Sequence, residues 1–363
     1  MHVVICGGGV IGAATAYFLS QRGAQVTVVE RTGVANAASG KSGGFLALDW
    51  CDGSPLQSLA RRSFALHAEL AEALSGEAAW NYRRMTTYGG HAGYSGGSET
   101  RPVDWVSDDV VISQRLGSAE TTAQVHPAAF TRALMRAAQA RGVALRSGTV
   151  TDIVTEGGSA VGVAVHEEVI RADAVVIALG PWSILAAQWL PLPLVYGLKG
   201  HSLVFETGDR LSADALFLET ADGAAHPEVF PRSDGTTYVC GYRSHAPIPV
   251  DPAQVIAEDE LSAHFETICR DLSPVLRDAP IRARQACYRP VTRDGLPLIG
   301  PVPGVSGAYV ATGHSVWGIL NAPATGEAMA DLILGGAART ADLTPFDPAR
   351  LPPLPPGQAT FSR

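Results

Sequence analysis

Val3-Val4-Ile5-Cys6, then Gly7-Gly8-Gly9-Val10-Ile11-Gly12, then an apolar helical stretch, then Val26-Thr27-Val28-Val29-Glu30 read as one mechanical unit. It is a strand, a glycine turn, a helix and a second strand that ends in a carboxylate. Gly7 makes the tight turn, Gly9 lets the backbone approach a pyrophosphate, and Gly12 lets the helix pack closely on the strand. The helix N-terminus offers unpaired N–H groups and partial positive charge to phosphates. Glu30 lies 18 residues past Gly12, near the spacing of an acid that accepts from an adenosine ribose. Such an acid repels a 2′-phosphate, so FAD or NAD is favoured over NADP. This unit alone leaves FAD and NAD open.

The 363 residues suffice for two domains with a substantial core. The net charge of −8 argues against nucleic acid or an anionic membrane surface as the main partner. The apolar stretch from Val3 to Leu19 lacks a basic leader, is interrupted by glycines and is too short for a bilayer, so no membrane span or targeting signal is expected. Cys6, Cys51, Cys240, Cys269 and Cys287 are odd in number and form no CxxC pair. A disulfide framework or metal site is therefore not expected, and a reducing, cytoplasmic compartment fits best.

Along the chain, Ala35 to Gly44 reads as a small-residue loop. Helices are expected at Ser58–Leu74, Pro127–Arg141 and near Ala253–Leu272. Residues 78–118 read as irregular β structure. Strands are expected at 143–145 and 148–154, and a hairpin at 161–165 and 169–171. Ala174-Val175-Val176-Ile177-Ala178 reads as a buried parallel strand. Residues 193–250 alternate and are turn-rich, which suggests an antiparallel sheet. The block 286–334 reads as two loops, one short strand at 308–311 and a helix ending at Gly335-Gly336, with Asn321 and Pro323 suiting its first turn. The proline-rich tail is expected to be extended or disordered.

Five motifs occur in a fixed order: the glycine turn; Ala38-Ser39-Gly40-Lys41-Ser42-Gly43-Gly44; Ala178-Leu179-Gly180-Pro181-Trp182; Tyr288-Arg289-Pro290-Val291-Thr292-Arg293-Asp294-Gly295-Leu296-Pro297-Leu298-Ile299-Gly300; and Gly313-His314-Ser315-Val316-Trp317-Gly318-Ile319-Leu320. Together they resemble the D-amino-acid oxidase superfamily of FAD enzymes, nearest to glycine oxidase and sarcosine oxidase. The resemblance implies an α/β fold: a Rossmann-like FAD-binding domain (1–75, 128–192, 283–340) interleaved with a mainly antiparallel, α+β substrate domain (76–127, 193–282), and a tail at 341–363.

It also implies roles. Gly7, Gly9, Val10, Ile11, Gly12, Glu30 and Arg31 would hold the adenosine end of FAD, and Val150 would contact adenine through its backbone. Ser39, Gly40, Lys41, Ser42, Gly43 and Gly44 would wrap the pyrophosphate and one flavin edge. Ala178, Gly180 and Trp182 would pass under the dinucleotide. Gly313, Gly318, Ile319 and Leu320 would hold the flavin, with the helix N-terminus aimed at its C2 carbonyl so that the dipole stabilises negative charge. Arg289 would clasp a substrate carboxylate bidentately. Cys287 stands where sarcosine oxidase carries covalent flavin. His314 would contact flavin or substrate.

Three departures bear on the substrate. Trp317 stands where glycine oxidase has a second active-site arginine. Glu228 stands near a position where related oxidases have a tyrosine. The lysine that helps activate oxygen in sarcosine oxidase has no match near Val239–Tyr242. Trp317 with Glu228 would suit a larger or cationic amine. Lys199, His201, Tyr242 and Tyr288 are further candidates for the substrate side.

The implied reaction is oxidation of a C–N bond in an amine or amino acid by hydride transfer to flavin N5, with O2 or another acceptor re-oxidising the flavin. Alternatives are oxidation of a 2-hydroxy acid or other C–OH substrate, an FAD-stabilised non-catalytic scaffold, and an NAD-only dehydrogenase.

Overall fold

A six-stranded sheet organises the nucleotide side of the molecule. The computed structural model describes residues 1–94 and 102–355. The part of the 78–118 expectation that falls on 95–101, and the tail beyond 355, lie outside the described residues. Strand order is Leu298–Pro301, Ala308–Thr312, Ala174–Ile177, His2–Cys6, Gln25–Glu30, Ala144–Ser147. All neighbours run parallel except the first pair.

Alternation along the first strand divides the core. Val3 and Ile5 face the helices Val10–Gln21, Gln57–Ala73, Pro127–Gln139 and Gly318–Gly335, whereas Val4 and Cys6 face a three-stranded sheet, Val150–Glu156, Ser159–Val165 and Glu168–Arg171. Both faces are covered, so the strand is apolar without a polar stripe. The glycine turn is sterically forced. Gly7 has φ 112°, and a Cβ at Gly12 would stand 2.0 Å from the Gly7 carbonyl oxygen.

The second layer is a seven-stranded sheet ordered Ile281–Thr292, Val195–Glu206, Thr236–Ser244, Glu228–Pro231, Asp214–Thr220, Thr86–Ala92, Val110–Gly117. It is antiparallel except where Asp214–Thr220 runs parallel to Thr86–Ala92. Leu203, Phe205, Val229 and Val239 bury its outer face under Phe265 and Cys269 of the helix Asp259–Asp271. Its inner face, with Val204, Phe230, Tyr238 and Cys240, turns toward the nucleotide side.

Five sequence expectations need correction. Two strands that were not expected, Ile281–Thr292 and Leu298–Pro301, fall wholly or partly in the block 286–334. The first straddles the expected division at 282/283 and pairs along its length with Val195–Glu206 of the seven-stranded sheet. The helix expected from Ala253 begins at Asp259, because Asp251 caps Ala253 N–H and Pro252 starts a separate single turn.

Pro323 sits inside the last helix rather than in its first turn. It has no N–H for the Ile319 carbonyl. His67 Nε2 takes that carbonyl at 3.0 Å and Leu320 O at 3.2 Å, and Ser63 Oγ accepts Ala324 N–H at 3.1 Å. Helix Gln57–Ala73 therefore patches the break. The described part of the tail is packed, not loose: Leu354 N–H donates to Leu192 O at 2.8 Å, and Arg350 pairs with Asp294. No helix among the described residues is long and apolar enough to cross a membrane.

His67 and His314 are buried, and each leaves Nδ1 without a partner among the described residues. Burial pushes His67 down to about 4 and His314 to about 3. Both rings are neutral in the folded chain, while an unfolded chain takes up protons below about pH 6.5. Stability is therefore present above pH 6.5 and falls as pH drops toward 4 for His67 and 3 for His314. At pH 5 the loss is about 2 kcal/mol per ring. Urea midpoints measured from pH 7.5 to 5 should fall accordingly; a flat profile would refute the assignment.

Candidate active site

Two cavities lie between the sheets and meet end to end. The narrower, about 140 Å³, is lined by Gly7, Gly9, Glu30, Arg31, Val150 and Gly180; Ala178 and Trp182 also face it. The wider, about 330 Å³, is lined by Val10, Ile11, Lys41, Cys287, Arg289 and Trp317, among others. They share Ala38, Ser39 and Pro181. The result is one elongated trench from the glycine turn to the seven-stranded sheet.

At the narrow end the Glu30 carboxylate accepts Gly8 N–H at 2.7 Å and Thr32 N–H at 2.8 Å. Arg31 lies 3.3 Å from Asp251. Gly9 caps the first helix with no side chain, and Val10 N–H donates to Ser39 Oγ at 2.9 Å. The waist of the trench is thus one hydroxyl set against a helix N-terminus.

The loop 39–44 is tied to the substrate sheet. Tyr238 OH donates to Lys41 O at 2.9 Å, Arg232 to Ser42 O at 3.0 Å, and Lys41 Nζ to Ala286 O at 3.2 Å. Lys41, Ser42, Gly43 and Gly44 all line the wide cavity. Ser42 Oγ is buried without a partner among the described residues.

Arg289 projects from the edge strand Ile281–Thr292 across its neighbour. A Cβ on Gly200 would stand 3.8 Å from Arg289 Nε and Nη2, so the guanidinium lies over the space that glycine leaves. Among the described residues no carboxylate comes within 4 Å of it. Glu228 lines the same cavity, which excludes a purely solvent-facing carboxylate. Burial pushes its carboxyl up, opposed by Arg289, and Cys240 Sγ donates to Oε2 at 3.4 Å. His314 lines the cavity and holds Thr325 Oγ1 at 3.1 Å through Nε2. Trp317 stands at a right angle to Trp50, centroids 6.4 Å apart. Ser315, at φ 49°, turns the chain into the last helix, whose Gly318 and Ile319 reach the cavity wall.

Other candidates lie elsewhere. Gly12, Gly40, Gly313 and Leu320 stand behind the trench surface rather than on it. Lys199 Nζ is paired with Glu258 at 2.7 Å; His201 does border the wide cavity, with its Nε2 3.7 Å from the same carboxylate. Tyr242 packs on His264 and Phe265. Tyr288 packs with Trp182 and Ile248 and donates to Pro247 O. Both tyrosines are packing aromatics, because their strand positions face away from the cavity. Sequence reasoning missed Phe45, Trp50 and Phe217 as cavity walls. Phe45 and Trp50 follow the Gly43-Gly44 loop closely, which was the available signal.

A trench of this length, with the Glu30 carboxylate at one end, a helix N-terminus at its waist and a guanidinium at the other end, fits an extended dinucleotide with space beyond its ring. The family profile described as FAD dependent oxidoreductase matches residues 2–332. The chain belongs to that family. Glycine oxidase of Pseudomonas aeruginosa is 29% identical over 96% of this chain and 98% of its own. A Schizosaccharomyces pombe protein described as an oxidoreductase is 31% identical over 96% of this chain and 97% of its own. Among solved structures, glycine oxidase from Geobacillus kaustophilus superposes with a TM-score of 0.81 at 25% identity, covering 96% of this chain and 98% of that one.

FAD is the cofactor of this oxidoreductase. Cys287 lines its wide cavity, but burial pushes the thiol up, with Arg289 and Lys41 opposing. A neutral thiol is a poor nucleophile. Acid precipitation of the purified protein should therefore release the flavin to the supernatant; flavin that stays with the pellet would show a covalent link.

Proposed function

We propose that this FAD-dependent oxidoreductase oxidises the C–N bond of an amine or amino acid, the imine then being hydrolysed. The observation that carries the reading is Arg289: a guanidinium laid over Gly200, with no carboxylate of the described chain within 4 Å, on the wall of the wide cavity. A planar fork so placed binds a substrate carboxylate through two parallel hydrogen bonds. Glu228 offers the opposite charge on the same wall, and its Oε1, not engaged by Cys240, can accept a substrate N–H. Phe230, Trp50 and Trp317 exclude water and hold the substrate's apolar part in place.

Bound FAD supplies the hydride acceptor. Orientation then does most of the remaining work, which agrees with the neutral ring of His314 on the cavity wall. The glycine oxidase relatives support an amino-acid substrate. We also propose the narrow cavity, with Glu30 and Val150, as the adenosine site, and a reducing, cytoplasmic compartment that suits the five free cysteines.

The test is anaerobic titration of the purified yellow protein with a panel of amino acids, N-alkyl amines and 2-hydroxy acids. Bleaching of the visible flavin band by amines, and recolouring in air, is the expected result. Bleaching by 2-hydroxy acids alone would replace the C–N reading with C–OH oxidation. No bleaching by any of them would favour the scaffold reading.

A further inference from the structure

The wide cavity does not end at the wall of the seven-stranded sheet. A further compartment of about 290 Å³ adjoins it, and Phe217 and Glu228 line both. Strand register explains the continuity. Cys240, Glu228, Phe217, Gly89 and Gln114 stand opposite one another across five consecutive strands. Residues directly opposite share a face of the sheet. One row therefore leads from the Cys240 wall, past Glu228 and Phe217, to the outer compartment.

Gly89 keeps the floor of that compartment low. A Cβ there would come within 3.1 Å of Leu116 and 3.2 Å of Gln114. The next row on the same face pairs Glu219 with His91, both exposed and both lining the compartment. Among the described residues the lining carries two carboxylates, Glu219 and Glu228, two histidines, His91 and His226, and no lysine or arginine. The trench is thus electrically graded: a guanidinium on the reaction cavity, a carboxylate at the junction, a second carboxylate beyond it.

We propose that the outer compartment binds the distal end of the substrate, and that this end carries a cationic group such as an ammonium or guanidinium. The proposal rests on the amine reading above. It specifies that reading as an amino acid longer than glycine, with its carboxylate on Arg289, its aliphatic part beside Phe217 and its distal cation at Glu219 and Glu228. Such a cation gains most from Glu228, which is half-buried and therefore less screened, and more weakly from the exposed Glu219.

The test uses the FAD-loaded protein and two readouts. In anaerobic stopped-flow, flavin reduction is followed with glycine, norleucine, lysine and arginine, both enantiomers of each chiral acid. Lysine or arginine should half-saturate at a concentration at least tenfold below norleucine. Gly89→Leu, which fills the floor, should raise that value at least tenfold for the cationic acids and leave glycine within twofold. Glu219→Gln should affect the cationic acids alone.

The second readout needs no turnover: 6-aminohexanoate and hexanoate are titrated against the visible flavin spectrum. The former should bind at least tenfold tighter, and Gly89→Leu should abolish the difference. If Gly89→Leu weakens glycine and lysine alike or neither, or if hexanoate binds as well as 6-aminohexanoate, the compartment is not a substrate site. If no amine reduces the flavin but the 6-aminohexanoate preference persists and is lost in Gly89→Leu, the amine reading fails and the cation site stands.

Discussion

Gly12→Val should yield a chain that retains no FAD through purification, colourless where the parent protein is yellow. Any Cβ at position 12 meets the Gly7 carbonyl oxygen at 2.0 Å and its carbon at 3.1 Å. Both are backbone atoms, so no side-chain rotation relieves the contact. Gly7 cannot yield easily, because its own φ of 112° is matched to Ala178 O, 2.5 Å from where a Cβ would stand. The turn must open, and the N–H groups at the start of the first helix leave the position that a phosphate needs. Overpacking of this kind costs about 1–3 kcal/mol or more, so FAD affinity should fall by roughly tenfold to a hundredfold or beyond. Gly9→Ala gives the graded comparison. Its Cβ meets only Ser39 Oγ, at 3.3 Å, and a small shift of that hydroxyl accommodates it. That variant should fold and bind FAD more weakly than the parent. Full flavin content in Gly12→Val would refute the steric argument.

Arg289→Met should leave FAD bound and lower kcat/KM for amino-acid substrates by about 10²–10³-fold, since truncating one partner of a buried charged pair costs about 2–5 kcal/mol. Methionine keeps the aliphatic bulk over Gly200 while removing the fork. A second effect separates lost charge from lost shape. Arg289 opposes the upward push that burial gives the Glu228 carboxyl, so its removal lets that carboxyl rise further. The acidic limb of the pH–rate profile should then move to higher pH. Arg289→Lys keeps a charge but not two parallel donors, and should fall between parent and methionine variant. An amine lacking a carboxylate should lose little in either variant. If it loses as much as an amino acid, Arg289 is not a carboxylate site.

The nucleotide half was legible because its elements carry their signals locally. The turn from Gly7 to Gly12, the run Ala174–Ile177 and the helix Pro127–Gln139 each declare themselves within 13 residues or fewer. The strand Ile281–Thr292 did not. It reads IRARQACYRPVT, with arginines at three positions and Pro290 inside. A proline argues against a central strand, but among the described residues this strand is the edge of its sheet, where proline is tolerated. Its arginines and partly buried positions hide the alternation that reveals a strand. Phe217 and Glu228 were illegible as a pair for a different reason: their opposition across two strands is a property of tertiary register. Arg289 could be named from its motif, but the void at Gly200 that lets it lie flat could not.

The threading of the six-stranded sheet sets a timetable for synthesis. The strand His2–Cys6 finds one neighbour, Gln25–Glu30, almost at once, but its other edge waits for Ala174–Ile177, and that strand in turn waits for Ala308–Thr312. A nascent chain leaving the ribosome therefore exposes an apolar parallel edge for most of its length. Such pairings form late and invite association with other chains meanwhile. Truncations ending before Ala308 should aggregate rather than accumulate as a soluble nucleotide-binding fragment, and refolding yield should depend on protein concentration. The glycine turn is translated well before Ala174–Ile177 and Ala308–Thr312, yet the sheet that frames it closes only after both have emerged.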